Sequence, residues 1–190
     1  MPTKKQWFQI FAPKIFDNKA IGEVLAIDAK NLINKRIEVS LSDFTQDLSR
    51  FYVKLIFKIR KSDDKKIIAD FDGHECLREY ISHIVRAGIT RVDNNIVVTT
   101  KDNYKIRVKG ILLFSRNVNK SIADKARALM NKVVMDFADK NNFDDFVKFM
   151  IFSEMANRMK DECKKLYSVS KVEIRKSEVL ESPDSPSKII

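Results

Sequence analysis

Apolar and polar side chains alternate over much of the first 114 residues, with the two-residue period of a β-strand. In TTKDNYKIRVKG, residues 99–110, one register holds Tyr104, Ile106 and Val108, and the other holds three cations. A strand with this pattern buries one face and exposes the other. Asp102-Asn103 within it tolerates the positive φ of a tight hairpin turn. Alternation predicts strands at residues 21–27, 36–41, 51–60, 66–70, 96–101 and 104–114, with 90–92 and 171–176 as weaker candidates.

Apolar residues also recur at the three- to four-residue spacing of a helix, once between the predicted strands and again after them. Asp72 and Glu75 resemble a capping box at the start of a short helix that Gly88 can close. Two longer helices are predicted, one from residue 121 and one over residues 143–166. Short consecutive strands joined by hairpins favour an antiparallel sheet. The predicted fold class is α+β: an antiparallel, barrel-like curled sheet with a short helix inserted and two C-terminal helices.

All four prolines lie near the ends of the chain, at positions 2, 13, 183 and 186. No Gly/Ser linker or internal repeat divides the residues between them, so the middle of the chain is predicted to be one continuous fold. The end of the chain is acidic and contains SPDSPS, a composition typical of disorder. We therefore predict a basic N-terminal arm over residues 1–13, a single α+β domain over 14–176 and an acidic disordered tail over 177–190.

The chain carries an excess of positive charge, with 36 Lys and Arg residues against 26 Asp and Glu residues. The net charge of +10 favours a polyanionic partner or an anionic membrane surface. No apolar run reaches the roughly 18 residues that span a bilayer, and the basic residues lie mainly on predicted strands and not on an amphipathic helix. Cys76 and Cys163 have no disulfide or metal-ligand spacing. A cytoplasmic protein without membrane contact is predicted.

The densest cluster of side chains that could support catalysis is Asp70, Asp72, His74, Glu75 and Cys76. Its D-x-D-G order lacks the further oxygen ligands and the closing glutamate of a calcium loop. The chain contains no HExxH motif, no Ser/His/Asp order and no glycine-rich phosphate loop. We predict no catalytic residue, no metal site, no cofactor and no small-molecule substrate. A metal-dependent nucleic-acid enzyme that uses Asp70, Asp72 and His74 stays open as an alternative.

Basic residues are concentrated, with nine Lys and Arg against two Asp between residues 101 and 132. Lys105, Arg107 and Lys109 stand about 7 Å apart on alternate positions, so they repel one another unless something acidic lies across them. Phosphate oxygens of a polyanion would supply that acidity, and an aromatic ring near the N-terminus could stack on a base. The predicted contacts are Lys4, Lys5, Trp7, Lys14, Lys19, Lys54, Lys58, Arg60, Lys105, Arg107, Lys109, Arg116, Lys120, Lys125 and Arg127.

Four stretches occur in the order and spacing of one known family. They are KKQWFQIFAPKIFDNKAIGEVLA near the start, RIEVSLSDF at 36–44, FDGHECLREYI at 71–81, and RVD with VVTTKDNYKIRV within 91–108. On these residues the chain resembles the S3Ae family of small-subunit ribosomal proteins of archaea and eukaryotes, also called eukaryotic-type S1. Many members have Asp-Gly-Tyr where this chain has Asp102-Asn103-Tyr104, and asparagine serves the same turn. Eukaryotic members run longer at both ends, so this chain is more similar to archaeal ones.

The resemblance implies a structural protein without catalytic activity that binds small-subunit rRNA on the platform near the mRNA exit. The implied fold is a barrel-like sheet with attached helices. The implied partners are rRNA and neighbouring small-subunit proteins, with mRNA near the exit as a further candidate, and the implied location is the ribosome in the cytoplasm. A free RNA-binding chaperone would have the same basic surface and stays open as a second alternative.

Overall fold

The computed structural model describes residues 5–45, 47–62 and 66–183. The chain divides into two compact units, Met1–Glu75 and Cys76–Ile190. Strands and helices occur in both units, which confirms the predicted α+β class. The single domain over residues 14–176 stays a prediction, because each unit is compact by itself.

The first unit is built on strands β1 to β5. Their bounds are Gln6–Phe11 (β1), Ala20–Ala26 (β2), Arg36–Ser40 (β3), Val53–Ser62 (β4) and Lys66–Cys76 (β5). They lie in the order β2-β1-β5-β4-β3, and the helix α1 (Leu41–Thr45) follows β3. β1 is antiparallel to β2 but parallel to β5, so the sheet that was predicted to be antiparallel contains a parallel pair here. β1 also lies within the segment that was predicted to be an arm.

Phenylalanine side chains fill the core of the first unit. The Phe16 ring lies 5.4 Å from that of Phe57 on β4 and 6.1 Å from that of Phe71 on β5, measured between ring centres. Phe44 completes the cluster, 5.2 Å from Phe16. Because these rings hold the inner register of β4 and β5, the alternate residues of both strands face outward.

The second unit has a central strand with a neighbour on each side. Its elements are α2 (Arg78–Ile84), β6 (Arg91–Thr99), β7 (Lys105–Phe114), α3 (Lys120–Lys140), α4 (Phe143–Ile151), α5 (Glu154–Lys164) and β8 (Val169–Glu181). β7 lies between β6 and β8 and is antiparallel to both. α3 packs on β6, and α5 packs on α3 and β8. No helix in the described part of the chain is long and apolar enough to cross a membrane.

The hairpin turn between β6 and β7 lies where the sequence predicted it. Asn103 has a φ of 60°, and its N–H donates to the carbonyl of Thr100 at 3.0 Å. Oδ2 of Asp102 accepts the backbone N–H of Phe143 at 3.1 Å, which ties the turn to the start of α4. The turn chemistry of Asp102-Asn103 is therefore confirmed.

Two helix predictions are wrong in their bounds. β5 continues to Cys76 and α2 begins only at Arg78, so Asp72 and Glu75 cap no helix. The helix predicted over 143–166 is interrupted at Ser153, whose φ of 67° is left-handed and separates α4 from α5. Over the described residues up to 183, three helices, α3, α4 and α5, therefore stand where two were predicted.

Candidate nucleic-acid interface

The predicted basic residues fall into two groups, according to whether the described chain already supplies a partner. Lys4 lies outside the described residues. The paired cations contact an acidic side chain or a carbonyl oxygen, and they are Lys19, Lys54, Arg60, Lys105, Arg107 and Arg127. The unpaired cations have no acidic side chain within ion-pair distance in the described ranges, and they are Lys5, Lys14, Lys58, Lys109, Arg116, Lys120 and Lys125.

β4 carries both kinds of cation in its outward register. Nζ of Lys54 lies 3.2 Å from Oε2 of Glu38 on β3, and Nε of Arg60 lies 3.4 Å from Oδ2 of Asp70 on β5. Lys58, between them in the same register, belongs to the unpaired cations. Of these three cations in the outward register, Lys58 alone can bind an added anion without the loss of an ion pair.

The N-terminal residues belong to the folded first unit. Nζ of Lys19 donates to the carbonyl oxygen of Asp43 at 2.6 Å and lies 5.8 Å from the centre of the Phe44 ring. Trp7 lies on β1 opposite Leu25 of β2, and its side chain is 67% exposed. The Trp7 ring is therefore accessible to a nucleic-acid base, and the pairing of β1 with β2 and β5 holds the strand that carries it in place.

Two of the three cations on β7 are paired with acidic residues of β8. Nζ of Lys105 lies 3.3 Å from Oε1 of Glu181, and Nη1 of Arg107 lies 3.3 Å from Oε2 of Glu178. β8 ends at Glu181, so it runs through residues 177–181, where the sequence predicted a disordered tail. Glu178 and Glu181 of the same chain therefore supply part of the negative charge that offsets the repulsion among the β7 cations.

Glu178 lies among several cations at once. Its Oε1 is 3.2 Å from Nζ of Lys176, while its Oε2 faces Arg107. Partial desolvation acts to raise the pKa of the Glu178 carboxyl, but hydrogen bonds from Lys176 and Arg107 and the charges of Lys109 and Lys176 outweigh it and lower that pKa. Glu178 therefore stays ionised at neutral pH.

The approach to α3 and its first turns carry the largest exposed group of unpaired cations. Arg116 precedes the helix, Lys120 begins it and Lys125 lies five residues further on, and all three are exposed. Arg127 on the same helix differs, because its Nη1 lies 2.6 Å from Oδ1 of Asp124. Arg116, Lys120 and Lys125 can therefore donate hydrogen bonds to phosphate oxygens, and the helix fixes the spacing of the two lysines.

The candidate metal cluster is occupied by other interactions. Oδ2 of Asp72 lies 2.7 Å from Nε of Arg36, and Asp70 faces Arg60. His74 on the same strand is buried, with 2% of its surface exposed. Among the described residues, no group of three His, Cys, Asp or Glu side chains is placed to hold a metal ion. The geometry of this cluster therefore does not support the alternative of a metal-dependent nucleic-acid enzyme.

Both cysteines are buried, and we expect neither to react with iodoacetamide in the folded protein at pH 8. Burial raises the pKa of the Cys163 thiol to about 11, so about one molecule in a thousand carries the thiolate at that pH. Sγ of Cys76 donates to the carbonyl of Ile174 at 3.4 Å. Mass spectrometry should find both thiols alkylated only after denaturation in guanidinium chloride. Rapid alkylation of either cysteine without denaturant would contradict this prediction.

Comparison with known proteins gives one consistent family. The Ribosomal S3Ae family matches residues 2–183. The small ribosomal subunit protein eS1 of Saccharolobus islandicus (strain L.S.2.15 / Lassen #1) is 36% identical over 184 residues, which cover 97% of this chain and 88% of that protein. The eS1 protein of Saccharolobus solfataricus is 35% identical with the same coverage. That of Sulfurisphaera tokodaii is 35% identical over 179 residues, 94% of this chain and 93% of that protein.

Proposed function

Because the chain belongs to the ribosomal S3Ae family, we propose that it is a structural protein of the small ribosomal subunit that binds small-subunit rRNA. The role is structural and not enzymatic. The supporting observation is the group of unpaired cations, foremost Arg116, Lys120 and Lys125, on an ordered helix and the loop before it. Archaeal relatives that carry the name small ribosomal subunit protein eS1 align over most of the chain.

Binding depends on phosphate neutralisation at fixed positions. Each unpaired cation gains a phosphate oxygen without losing a contact, and counterions released from the RNA add to the driving force. A paired cation such as Lys105 must first exchange its carboxylate for a phosphate. An exposed ion pair stabilises the protein by about 0 to 1 kcal/mol, so a phosphate can replace the carboxylate. The loss of the ion pair makes the net gain in binding free energy smaller than at an unpaired cation. The unpaired cations therefore supply most of the affinity.

Around the RNA contact we place further partners. The protein lies on the platform of the small subunit near the mRNA exit, next to other small-subunit proteins, in the cytoplasm. Trp7, exposed on β1, stacks on an unpaired base, as an aromatic ring on a positively charged surface does in other RNA-binding proteins. mRNA leaving the subunit passes close to this surface.

Sedimentation tests the proposed role. A tagged version of the chain is expressed in its native organism, the lysate is separated on a sucrose gradient, and the tagged protein is detected in the fractions. We expect it in the small-subunit fractions, and still there after magnesium is lowered to separate the subunits. A chain that stays at the top of the gradient and still binds RNA would be a free chaperone, and the ribosomal role would be wrong.

A further inference from the structure

The register of β7 and β8 places two lysines opposite each other, Lys109 and Lys176. Like charges at directly opposite positions of neighbouring strands destabilise the pairing. On the other side of Lys109, the partner residue on β6 is Asn95, which is uncharged. The strand pairing therefore offers Lys109 no acidic partner from either side.

The acidic residues of β8 are engaged further along the strands. Glu181 pairs with Lys105 at 3.3 Å. Glu178 uses Oε2 for Arg107 and Oε1 for Lys176, so neither oxygen lies within ion-pair distance of Lys109. In this part of the two strands Lys105, Arg107, Lys109 and Lys176 stand against Glu178 and Glu181, and among the described residues no carboxylate lies within ion-pair distance of Lys109.

We propose that Lys109 and Lys176 together hold one phosphate of the rRNA backbone, a site that rests on the function proposed above. Opposite residues of an antiparallel pair have Cβ atoms about 5 Å apart, so two flexible lysine stems can converge on one phosphate. That phosphate removes the repulsion between the two ammonium groups. Glu178, whose Oε1 lies 3.2 Å from Nζ of Lys176, competes with that phosphate for the ammonium group and limits the positive charge of the site.

Salt dependence tests whether the two lysines share one phosphate. The variants K109Q, K176Q and K109Q/K176Q are compared with the wild-type chain in binding to full-length small-subunit rRNA transcribed in vitro. We expect K109Q to bind about tenfold more weakly and K176Q, whose lysine already pairs with Glu178, to lose less than that. Because the two lysines share one phosphate, the loss in the double variant should be smaller than the product of the two single losses. The slope of log affinity against log salt should fall in the double variant by about 0.7 to 0.9, the value for one phosphate contact.

The control pair is K164Q/K165Q, which removes the same charge from α5, where both lysines pair with neighbouring acids. We expect the control to change affinity by less than about threefold. If K109Q/K176Q bound rRNA with wild-type affinity, the proposal that the two lysines bind one phosphate would be wrong. A fall in the salt slope of about 1.4 to 1.8, the value for two phosphate contacts, would also contradict it. Normal rRNA binding with failed incorporation into subunits would assign these lysines to a partner protein's carboxylate and would also overturn it. A wild-type chain that does not bind rRNA would instead refute the proposed function.

Replacing Glu178 is expected to strengthen rRNA binding, whereas replacing Lys109 or Lys176 weakens it. E178Q removes the carboxylate that competes with RNA for Lys176 and Arg107, so we expect affinity for the same rRNA to rise about fivefold. E162Q on α5 adds the same charge away from the site, next to Lys165, and serves as the control. Equal effects of the two variants, or weaker binding by E178Q, would contradict the proposal.

Lysine acetylation of the wild-type chain gives a measurement that needs no variant. We expect rRNA to protect Lys109 and Lys176 from acetylation and to leave Lys164 reactive. Equal modification of Lys109 with and without rRNA would overturn the proposal.

Discussion

Replacing Arg116, Lys120 and Lys125 with glutamine is expected to weaken binding to small-subunit rRNA about a hundredfold at about 150 mM salt. All three are exposed and unpaired, so each loses a phosphate contact with no compensating internal partner. Three contacts of about 1 kcal/mol each correspond to that factor. The slope of log affinity against log salt should fall by about 2 to 3. Filter binding over a series of salt concentrations measures both quantities.

The matched control replaces three paired cations, Lys54, Lys105 and Arg127, with glutamine. It lowers the net charge by the same amount, so a purely long-range attraction would weaken in both variants alike. We expect the control to lose less than about tenfold, because these cations already face Glu38, Glu181 and Asp124. Equal losses in the two variants would show that net charge alone decides binding, and the distinction between paired and unpaired cations would then be wrong.

Gly110→Ala is expected to lower the free energy of unfolding by about 2 to 4 kcal/mol. The register of β7 against β8 shifts between Lys109 and Gly110, and the Gly110 N–H donates to Oδ1 of Asn94 at 2.6 Å. A Cβ at Gly110 would lie 2.5 Å from that oxygen. Asn94 is buried and also donates through Nδ2 to Asn131 at 3.2 Å, so moving it breaks both bonds.

Gly22→Ala is the control for this substitution. Gly22 lies on β2, where an added Cβ would meet no atom of the described residues within 4 Å, apart from its chain neighbours. We expect its free energy of unfolding to stay unchanged or rise by up to about 1 kcal/mol, since alanine restricts the unfolded chain. Urea unfolding followed by circular dichroism compares both variants with the wild type. Identical midpoints for Gly110→Ala and Gly22→Ala would show that the Asn94 contact contributes nothing to stability.

Features decided by a few neighbouring residues could be predicted from the sequence. The β6–β7 turn is an example, because Asp102-Asn103 contains the chemistry of the turn and Asn103 adopts the positive φ it requires. The break between α4 and α5 could not be predicted, since Ser153 gives no proline or glycine signal. Similarly, Asp72 looked like a helix cap but faces Arg36 across the first unit, a contact set by tertiary packing.

The paired and unpaired cations could not be separated from the sequence. Glu178 and Arg107 are 71 residues apart, and Glu181 and Lys105 are 76 apart, so their pairing depends on the register of β7 and β8. That register shifts three times along the strands, which breaks the simple alternation in the sequence of β8. The sequence of residues 177–181 is therefore typical of a tail, although this segment carries the two acids that pair with Lys105 and Arg107.

Cross-linking within assembled small subunits tests the central claim most directly. Subunits that contain the full-length chain are treated with a lysine-directed reagent that joins amines to RNA, and the cross-linked peptides are identified by mass spectrometry. We predict peptides joined to small-subunit rRNA through Lys109, Lys120 and Lys125, and few through the paired Lys54 and Lys105. Cross-links to rRNA that involve only Lys54 and Lys105, or no cross-link to small-subunit rRNA at all, would contradict the proposed interface.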